Sequence, residues 1–263
     1  GTPRSGTRMV TGLFNKAGFF SGNELLAPTV SNPDGYFESV DINQINNELI
    51  TELLRWPRLE NGIRRRIAPM HHLDRRAFAF ASPLRIKSLS IAEKTREKIR
   101  EIVSHRPFCL KDPRFCLTLS FWTRELDKDP SVIVVFRHPS KTIESYKRNG
   151  ERVYDPPLRV DDRSLAIAYA RNYARLLRWS QPDWLFVHYD QVLSGDATDR
   201  LERIAGRTLY RSHLNPGLRR SSGSQTTRLP RPAIRVYKRL CRAAGMPRRQ
   251  DERVIGSSYE ASV

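Results

Sequence analysis

One run of residues decides the fold of this chain: Val132-Ile133-Val134-Val135-Phe136. The run is continuous, apolar and rich in β-branched residues, which is typical of a central parallel strand covered on both faces. Two more strands are predicted, at 108–110 and 185–188, and stretches with helical periodicity separate the three. Strands that alternate with helices predict an α/β fold with three layers around a central parallel sheet.

The predicted helices follow from apolar residues at helical spacing. The first is closed by Gly18, and the second opens with Asp41 as its N-cap. The predicted ranges are 9–17, 41–54, 93–103, 117–126, 140–148, 165–179 and 198–205. Since ligands of such folds bind at the carboxyl ends of the strands, the residues after each strand are the first candidates for a site.

The N-terminal stretch 1–9 is typical of a loop that holds phosphate. Gly1, Pro3 and Gly6 favour a tight turn that exposes successive backbone N–H groups. The helix that follows presents the positive end of its dipole to the same point. The alternative is a Gly/Pro-rich turn that binds nothing. Because such a loop normally follows a buried strand, we expect a strand before Gly1 that this sequence does not include, and a signal or anchor segment could have preceded it.

The loop differs from that of the nucleoside triphosphatases. In those proteins a lysine and then a hydroxyl residue follow the second glycine, whereas Thr7 and Arg8 follow Gly6 here. The cation has moved inside the loop, to Arg4. A nucleoside triphosphate with Mg²⁺ is therefore disfavoured as the ligand.

A second candidate site follows the central strand. Arg137 comes directly after the strand, and Ser145 comes eight residues later in a predicted helix. Two turns of helix would bring the serine hydroxyl back toward the strand end, where both side chains could share one phosphate. The alternative is an exposed arginine and an unrelated serine on a helix surface.

Together, these two segments resemble the signatures of the sulfotransferases that use 3′-phosphoadenosine 5′-phosphosulfate (PAPS). The first family signature, Pro-Arg/Lys-Ser-Gly-Thr-Thr, grips the 5′-phosphosulfate and stands here as residues 3–8 (PRSGTR). The second, Arg-x-Pro with a serine eight residues past the arginine, grips the 3′-phosphate and stands as Arg137-His138-Pro139 with Ser145. The resemblance covers residues 1 to about 205.

The resemblance implies a single sulfotransferase domain over 1–263, with a loop and architecture like those of the nucleoside triphosphatases. It also implies that PAPS is bound without a metal and leaves as adenosine 3′,5′-bisphosphate. The residues it assigns to the cofactor are Arg4, Ser5, Gly6, Thr7, Arg8, Arg137, Ser145 and Tyr189. Of these, Tyr189 matches a tyrosine that lies near the adenine in the family; the alternative is a tyrosine at the rim of the fold.

Two residues of the first segment depart from the family pattern. Arg8 replaces the second threonine, so that one hydroxyl is lost and a cation is gained. Met9 stands where cytosolic members often place a tryptophan against the adenine. The adenine pocket is therefore the less well defined part of the expected site.

The resemblance also supplies candidates for catalysis. Bacterial and glycan-modifying members place a glutamate in the region of Glu38, which is therefore the expected general base; the alternative is an acid that stabilises a helix N-terminus. Lys111 matches a lysine of the cytosolic members, whereas Pro113 occupies the place of their histidine base. The chain is thus expected to belong to the bacterial or glycan-modifying type.

In that reaction, Lys111 would stabilise the transferring sulfuryl group, and Arg4 would help at the leaving phosphate. Lys111 could instead pair with Asp112, which is itself a weaker candidate for the base. His71 and His72 are interpreted as loop residues rather than metal ligands, and no metal is expected.

Composition sets further bounds. The chain has 263 residues and a formal net charge of +18, with 46 Lys and Arg against 28 Asp and Glu. Such a charge predicts attraction to polyanions, although the solvated surface of an arginine-rich protein would look the same. The cysteines (Cys109, Cys116 and Cys241) have neither disulfide nor metal spacing. No run approaches the ~18 apolar residues of a membrane span, and we expect a cytoplasmic protein.

The acceptor is expected to be a hydroxyl on a glycan, a lipid or a small metabolite. Substrate loops are predicted at 19–39, 55–83 and 150–160, and the basic residues of the last two favour an acidic glycan. Arg219 and Arg220, in the basic C-terminal segment 206–263, could close over the cofactor or simply be solvated. Two other functions stay open: a small-molecule kinase of related fold, and a basic nucleic-acid-binding protein, although no specific reader of nucleic acid is recognisable.

Overall fold

The computed structural model describes residues 1–28, 35–54, 90–153, 161–211 and 229–246. These residues divide between two compact units. The flanking unit consists of Gly1–Ala17 and the chain from Ser131 onward, and the inserted unit is Gly18–Pro130. The single domain expected over 1–263 is not tested by this division and stays a prediction. The excursion at 55–83 with His71 and His72, and Arg219 and Arg220, lie outside the described residues.

The described chain contains nine helices and two strands. In chain order they are α1 (Thr7–Lys16), α2 (Val40–Leu54), α3 (Glu93–Ser104), α4 (Phe115–Thr123), β1 (Ile133–Phe136), α5 (Pro139–Val153), α6 (Asp162–Trp179), β2 (Leu185–His188), α7 (Tyr189–Ser194), α8 (Thr198–Ala205) and α9 (Arg231–Ala243).

The flanking unit is built on a parallel pair of strands. β1 and β2 pair in register from Ile133 opposite Leu185 to Phe136 opposite His188. Their parallel direction requires a crossover connection, which α5 and α6 provide. The mixed α/β class and both of these strands are therefore confirmed.

Aromatic residues fill the core of this unit. Phe136 of β1 lies edge to face against Tyr173 of α6, His188 of β2 and Tyr237 of α9. All four side chains are almost completely buried. Because two helices and both strands contribute to one cluster, the strand ends are held at fixed positions for the residues that follow them.

The inserted unit packs α2 against α4. The buried face of α2 is entirely apolar apart from Asn46, and it consists of Ile42, Ile45, Asn46, Leu49, Ile50 and Leu53. The hydroxyl of Thr118 and the indole N–H of Trp122 both donate to the side-chain oxygen of Asn46. This polar contact in the core fixes one helix against the other.

Several element boundaries differ from the predictions. The expected strand at 108–110 is reduced to one parallel bridge between Phe20 and Phe108. Pro107, which has no N–H, prevents the ladder from extending on the N-terminal side of this bridge. α2 begins at Val40, so that Asp41 lies in the first helical turn and is not the N-cap. The sequence analysis did not predict α7 or α9. Within the described residues, no helix is long and apolar enough to cross a membrane.

Candidate functional site

The N-terminal loop turns sharply before α1. Arg4 and Gly6 both have left-handed backbone conformations, with φ of 63° and 95°. Gly6 is the N-cap of α1 and supplies no side chain to bond the first N–H groups of the helix. A Cβ atom on Gly6 would lie 2.5 Å from the ring of Tyr189, so only glycine fits this position. The loop thus places the uncapped start of α1 beside Tyr189.

The floor of the loop is tied to the central strand through one hydroxyl group. The backbone N–H of Thr2 donates to the Tyr173 hydroxyl at 3.2 Å, and that hydroxyl donates to the carbonyl of Val135 at 2.8 Å. A Cβ atom on Gly1 would lie 2.1 Å from the same carbonyl oxygen. Loop and strand therefore approach as closely as the backbone allows.

Ser5 helps to shape the loop from inside. Its side chain is completely buried, and its hydroxyl donates to the carbonyl of Thr2 at 2.6 Å. The contact in the structure is therefore internal to the turn, and a role of this hydroxyl in cofactor binding stays a prediction. Thr7 and Arg8 lie half-buried in the first turn of α1.

The structure brings together residues from the two sequence segments. Nε of Arg4 donates to the hydroxyl of Ser145 at 3.1 Å, although the two residues are 141 positions apart. Ser145 lies on α5, the helix that begins shortly after β1. The turn of α5 that contains Ser145 therefore lies next to the N-terminal loop.

Arg137 lies at the end of β1 and is only 8% exposed. Its guanidinium carbon stands 4.1 Å from the centroid of the Tyr189 ring, a cation–π geometry. Its carbonyl accepts a hydrogen bond from the hydroxyl of Tyr169 at 2.9 Å. Gly6, Tyr189 and Arg137 therefore form one continuous contact, in which a tyrosine ring lies between the loop and the strand end.

Two buried histidines stand next to this contact. Burial lowers the pKa of His138 to about 4, and the nearby charges of His188, Lys141 and Arg137 act in the same direction. Burial also lowers the pKa of His188 to about 4, against the opposite effect of Asp190. Both rings are therefore neutral at pH 7.

His188 sets the position of Tyr189 through a helix cap. Its Nδ1 accepts the N–H of Asp190 at 3.2 Å, so that Nε2 carries the proton and faces the hydroxyl of Tyr237 at 3.3 Å. The side chain of Gln191 accepts the backbone N–H of His188 at 3.0 Å and completes a capping box at the start of α7. The cap requires the neutral ring, since a protonated Nδ1 could not accept.

The inserted unit carries the other candidate pair. Nζ of Lys111 donates to Oε1 of Glu38 at 2.6 Å and to the carbonyl of Tyr36 at 2.8 Å. The two charged side chains are only 10% and 14% exposed. Glu38 is held by an antiparallel bridge between Leu25 and Ser39. The ion pair therefore places a cation directly against the carboxylate that the sequence analysis named as the candidate base.

Asp112 does not pair with Lys111. Its two carboxylate oxygens accept from the backbone N–H of Arg114 at 2.6 Å and from the guanidinium of Arg114 at 2.7 Å. Burial raises the pKa of the Asp112 carboxyl, opposed by the charge of Arg114 and reinforced by that of Glu38. The alternative pairing of Lys111 with Asp112 is therefore wrong.

No group of three or more His, Cys, Asp or Glu side chains that could hold a metal ion is found in the described part of the chain.

Sequence reasoning missed Tyr169, Tyr173 and His188, each of which positions a candidate residue. The two tyrosines had one signal, their spacing of four in a predicted helix, which also describes ordinary core packing; His188 had none. Comparison of the chain with protein-family models, with curated proteins and with solved structures finds no match.

Replacing Tyr173 by phenylalanine tests the link between loop and strand. The change leaves a buried N–H at Thr2 and a buried carbonyl at Val135 without this partner. We expect the free energy of unfolding to fall by about 1–3 kcal/mol, measured by urea denaturation. Tyr210→Phe is the matched control, because Tyr210 is 68% exposed. Equal stabilities of the two variants would contradict the assigned link.

The buried histidines predict an acid-sensitive fold. Between pH 6.5 and 4 the unfolded chain binds protons that the folded histidines do not, so stability is lost as the pH falls through this window. Each histidine contributes a slope of up to about 1.4 kcal/mol per pH unit. We expect His138→Gln to reduce the measured pH dependence of the unfolding free energy, whereas His105→Gln, at an exposed position, should not. An undiminished slope in His138→Gln would rule out this source.

Proposed function

We propose that this protein is a sulfotransferase that moves a sulfuryl group from PAPS to an acceptor hydroxyl. The proposal is carried by the 3.1 Å contact between Arg4 and Ser145. Each of these residues was assigned to the cofactor from a different sequence segment, and neither assignment required that they meet. A shared ligand with two phosphate groups gives a physical reason for their proximity.

In this proposal the flanking unit binds the nucleotide. The turn before α1 and the helix N-terminus bind the 5′-phosphosulfate, with Arg4 as the charged partner. Arg137 and Ser145 bind the 3′-phosphate. Tyr189, which contacts both the Gly6 turn and Arg137, would lie beside the adenine, as the resemblance to the family implies. Arginine side chains neutralise the anion, so the proposal requires no metal.

The resemblance to the family assigns the catalytic roles to Glu38, Lys111 and Arg4. Glu38 takes the proton of the acceptor hydroxyl while the acceptor oxygen attacks the sulfur of PAPS. The bond from sulfur to the phosphate oxygen breaks, and adenosine 3′,5′-bisphosphate leaves. Once Glu38 is protonated its hold on Lys111 weakens, so the ammonium group can stabilise the sulfuryl oxygens and Arg4 the leaving phosphate.

The proposed fold is a three-layer α/β arrangement. A central parallel sheet with helices in two further layers would place the loop before α1 and the end of β1 at one sheet edge. The parallel pairing of β1 with β2 and the crossover through α5 and α6 support it.

Nucleotide binding tests the proposal directly. We expect titration calorimetry to show that adenosine 3′,5′-bisphosphate binds without a divalent metal. Ser145→Ala should weaken this binding by about 10- to 100-fold, since one hydrogen bond to a charged phosphate is worth about 1.5–3 kcal/mol. Ser164→Ala, which removes a hydroxyl that donates to Asp161 at the start of α6, is the control and should bind normally. Tighter binding of ATP with Mg²⁺ would favour a kinase instead, and binding of oligonucleotides alone would favour a nucleic-acid-binding protein.

Catalysis is tested separately at Glu38. Replacing it by glutamine removes the base and should lower transfer of the labelled sulfuryl group to a panel of hydroxyl acceptors by about 10² or more. Binding of adenosine 3′,5′-bisphosphate should persist. Glu97→Gln, exposed on α3, is the matched control with the same chemical change. Unchanged transfer in Glu38→Gln would remove Glu38 from the mechanism.

A further inference from the structure

The exposed face of α9 carries a line of positive charge. The helix Arg231–Ala243 contains five cations and no acidic residue: Arg231, Arg235, Lys238, Arg239 and Arg242. Arg231, Arg235, Lys238 and Arg242 follow one another at spacings of four, three and four residues. At 3.6 residues and 5.4 Å per turn, these four lie within an arc of about 60° and extend over about 16 Å. We call the five residues the basic stripe.

The opposite face of α9 is committed to the core. Its buried residues are Ala233, Val236, Tyr237, Leu240 and Cys241, and the helix packs against α5, α6 and β2. Four members of the basic stripe are exposed and Lys238 is half-buried. The stripe therefore lies on a rigid surface whose orientation is fixed by the core.

No side chain of the basic stripe has a hydrogen-bond or ion-pair partner within the described residues. Other helices of the protein neutralise their cations, as Arg96 and Arg100 do with Glu93 and Glu125. Like charges four residues apart destabilise a helix by about 0.2–0.5 kcal/mol per pair, and the stripe contains three such pairs. A ligand that neutralises the stripe would offset this cost.

The geometry points to a linear polyanion. A narrow line of charges matches a chain that lies along the helix, whereas a membrane-binding helix would expose an apolar face, and α9 buries its own. The stripe has no aromatic residue on which bases could stack. Guanidinium groups, four of the five, form paired hydrogen bonds with carboxylate and phosphate groups, and a sulfate group offers the same arrangement of oxygens as a phosphate.

We propose that the basic stripe of α9 binds an acidic polysaccharide that carries carboxylate or sulfate groups. The site is separate from the residues assigned to sulfuryl transfer, and it does not depend on that reaction. It would hold a polymer through its charge pattern at physiological salt and release it as salt is raised.

Binding of size-defined heparin, a sulfated polysaccharide, to the full chain tests this inference at about 0.15 M salt. The triple variant Arg235→Gln, Arg239→Gln, Arg242→Gln should bind about 10- to 100-fold more weakly, because three ionic contacts of up to about 1 kcal/mol each are lost. The control removes three exposed cations elsewhere in the same unit: Arg163→Gln, Arg178→Gln and Arg203→Gln. It has the same net charge and should bind within about twofold of the parent protein.

Each alternative result overturns the inference. Equal losses in the two triple variants would show that net charge, not the stripe, binds heparin. Tighter binding of duplex DNA, or of phosphatidylserine vesicles, than of heparin would assign the surface to another partner. Thermal unfolding of both variants establishes that they fold. Adenosine 3′,5′-bisphosphate titrated into the same variants keeps the two proposals distinct, since either ligand can fail to bind while the other binds.

Discussion

The structure of the flanking unit depends on one hydroxyl group, that of Tyr173. It receives the backbone N–H of Thr2 and donates to the carbonyl of Val135, so that it joins the N-terminal loop to the central strand in the interior. Buried backbone groups must find partners, and at this point a side chain from α6 satisfies two of them. The close approach that results leaves no room for a side chain at Gly1. The glycine pattern of the loop thus reflects its neighbours as well as any ligand.

The same packing explains why the candidate binding residues meet. With the loop fixed on β1, α1 starts beside Tyr189, and the ring of Tyr189 rests on Arg137 at the strand end. His188 holds Tyr189 in place, because its neutral ring caps the helix that Tyr189 begins. The position of Tyr189 therefore depends on His188, which is buried and titratable. Acidification that protonates His188 would displace Tyr189 as well as lower the stability of the fold.

The sequence was sufficient where one local pattern dominates. The apolar runs gave β1 and β2, and helical spacing gave α8 with its observed ends. It was insufficient where a long-range contact decides the role of a residue. Tyr169 and Tyr173 have the spacing of ordinary core residues, and only the fold shows that their hydroxyls donate to the carbonyls of Arg137 and Val135. α9 was missed even though its apolar residues have helical spacing, because the many arginines between them gave this stretch the character of a solvated basic tail.

The sequence leaves two carboxylates, Glu38 and Asp112, as possible partners of Lys111, and burial decides between them. Glu38 and Asp112 are both carboxylates, and Asp112 is next to the lysine in the chain. The Asp112 side chain is fully buried, however, and Arg114 meets it with both a backbone and a guanidinium donor. An unpaired buried carboxylate would be costly, so the two-donor partner is retained there and Lys111 is left for Glu38. That outcome gives Glu38 a cation 2.6 Å from its carboxylate, in a position where both side chains are largely shielded from solvent.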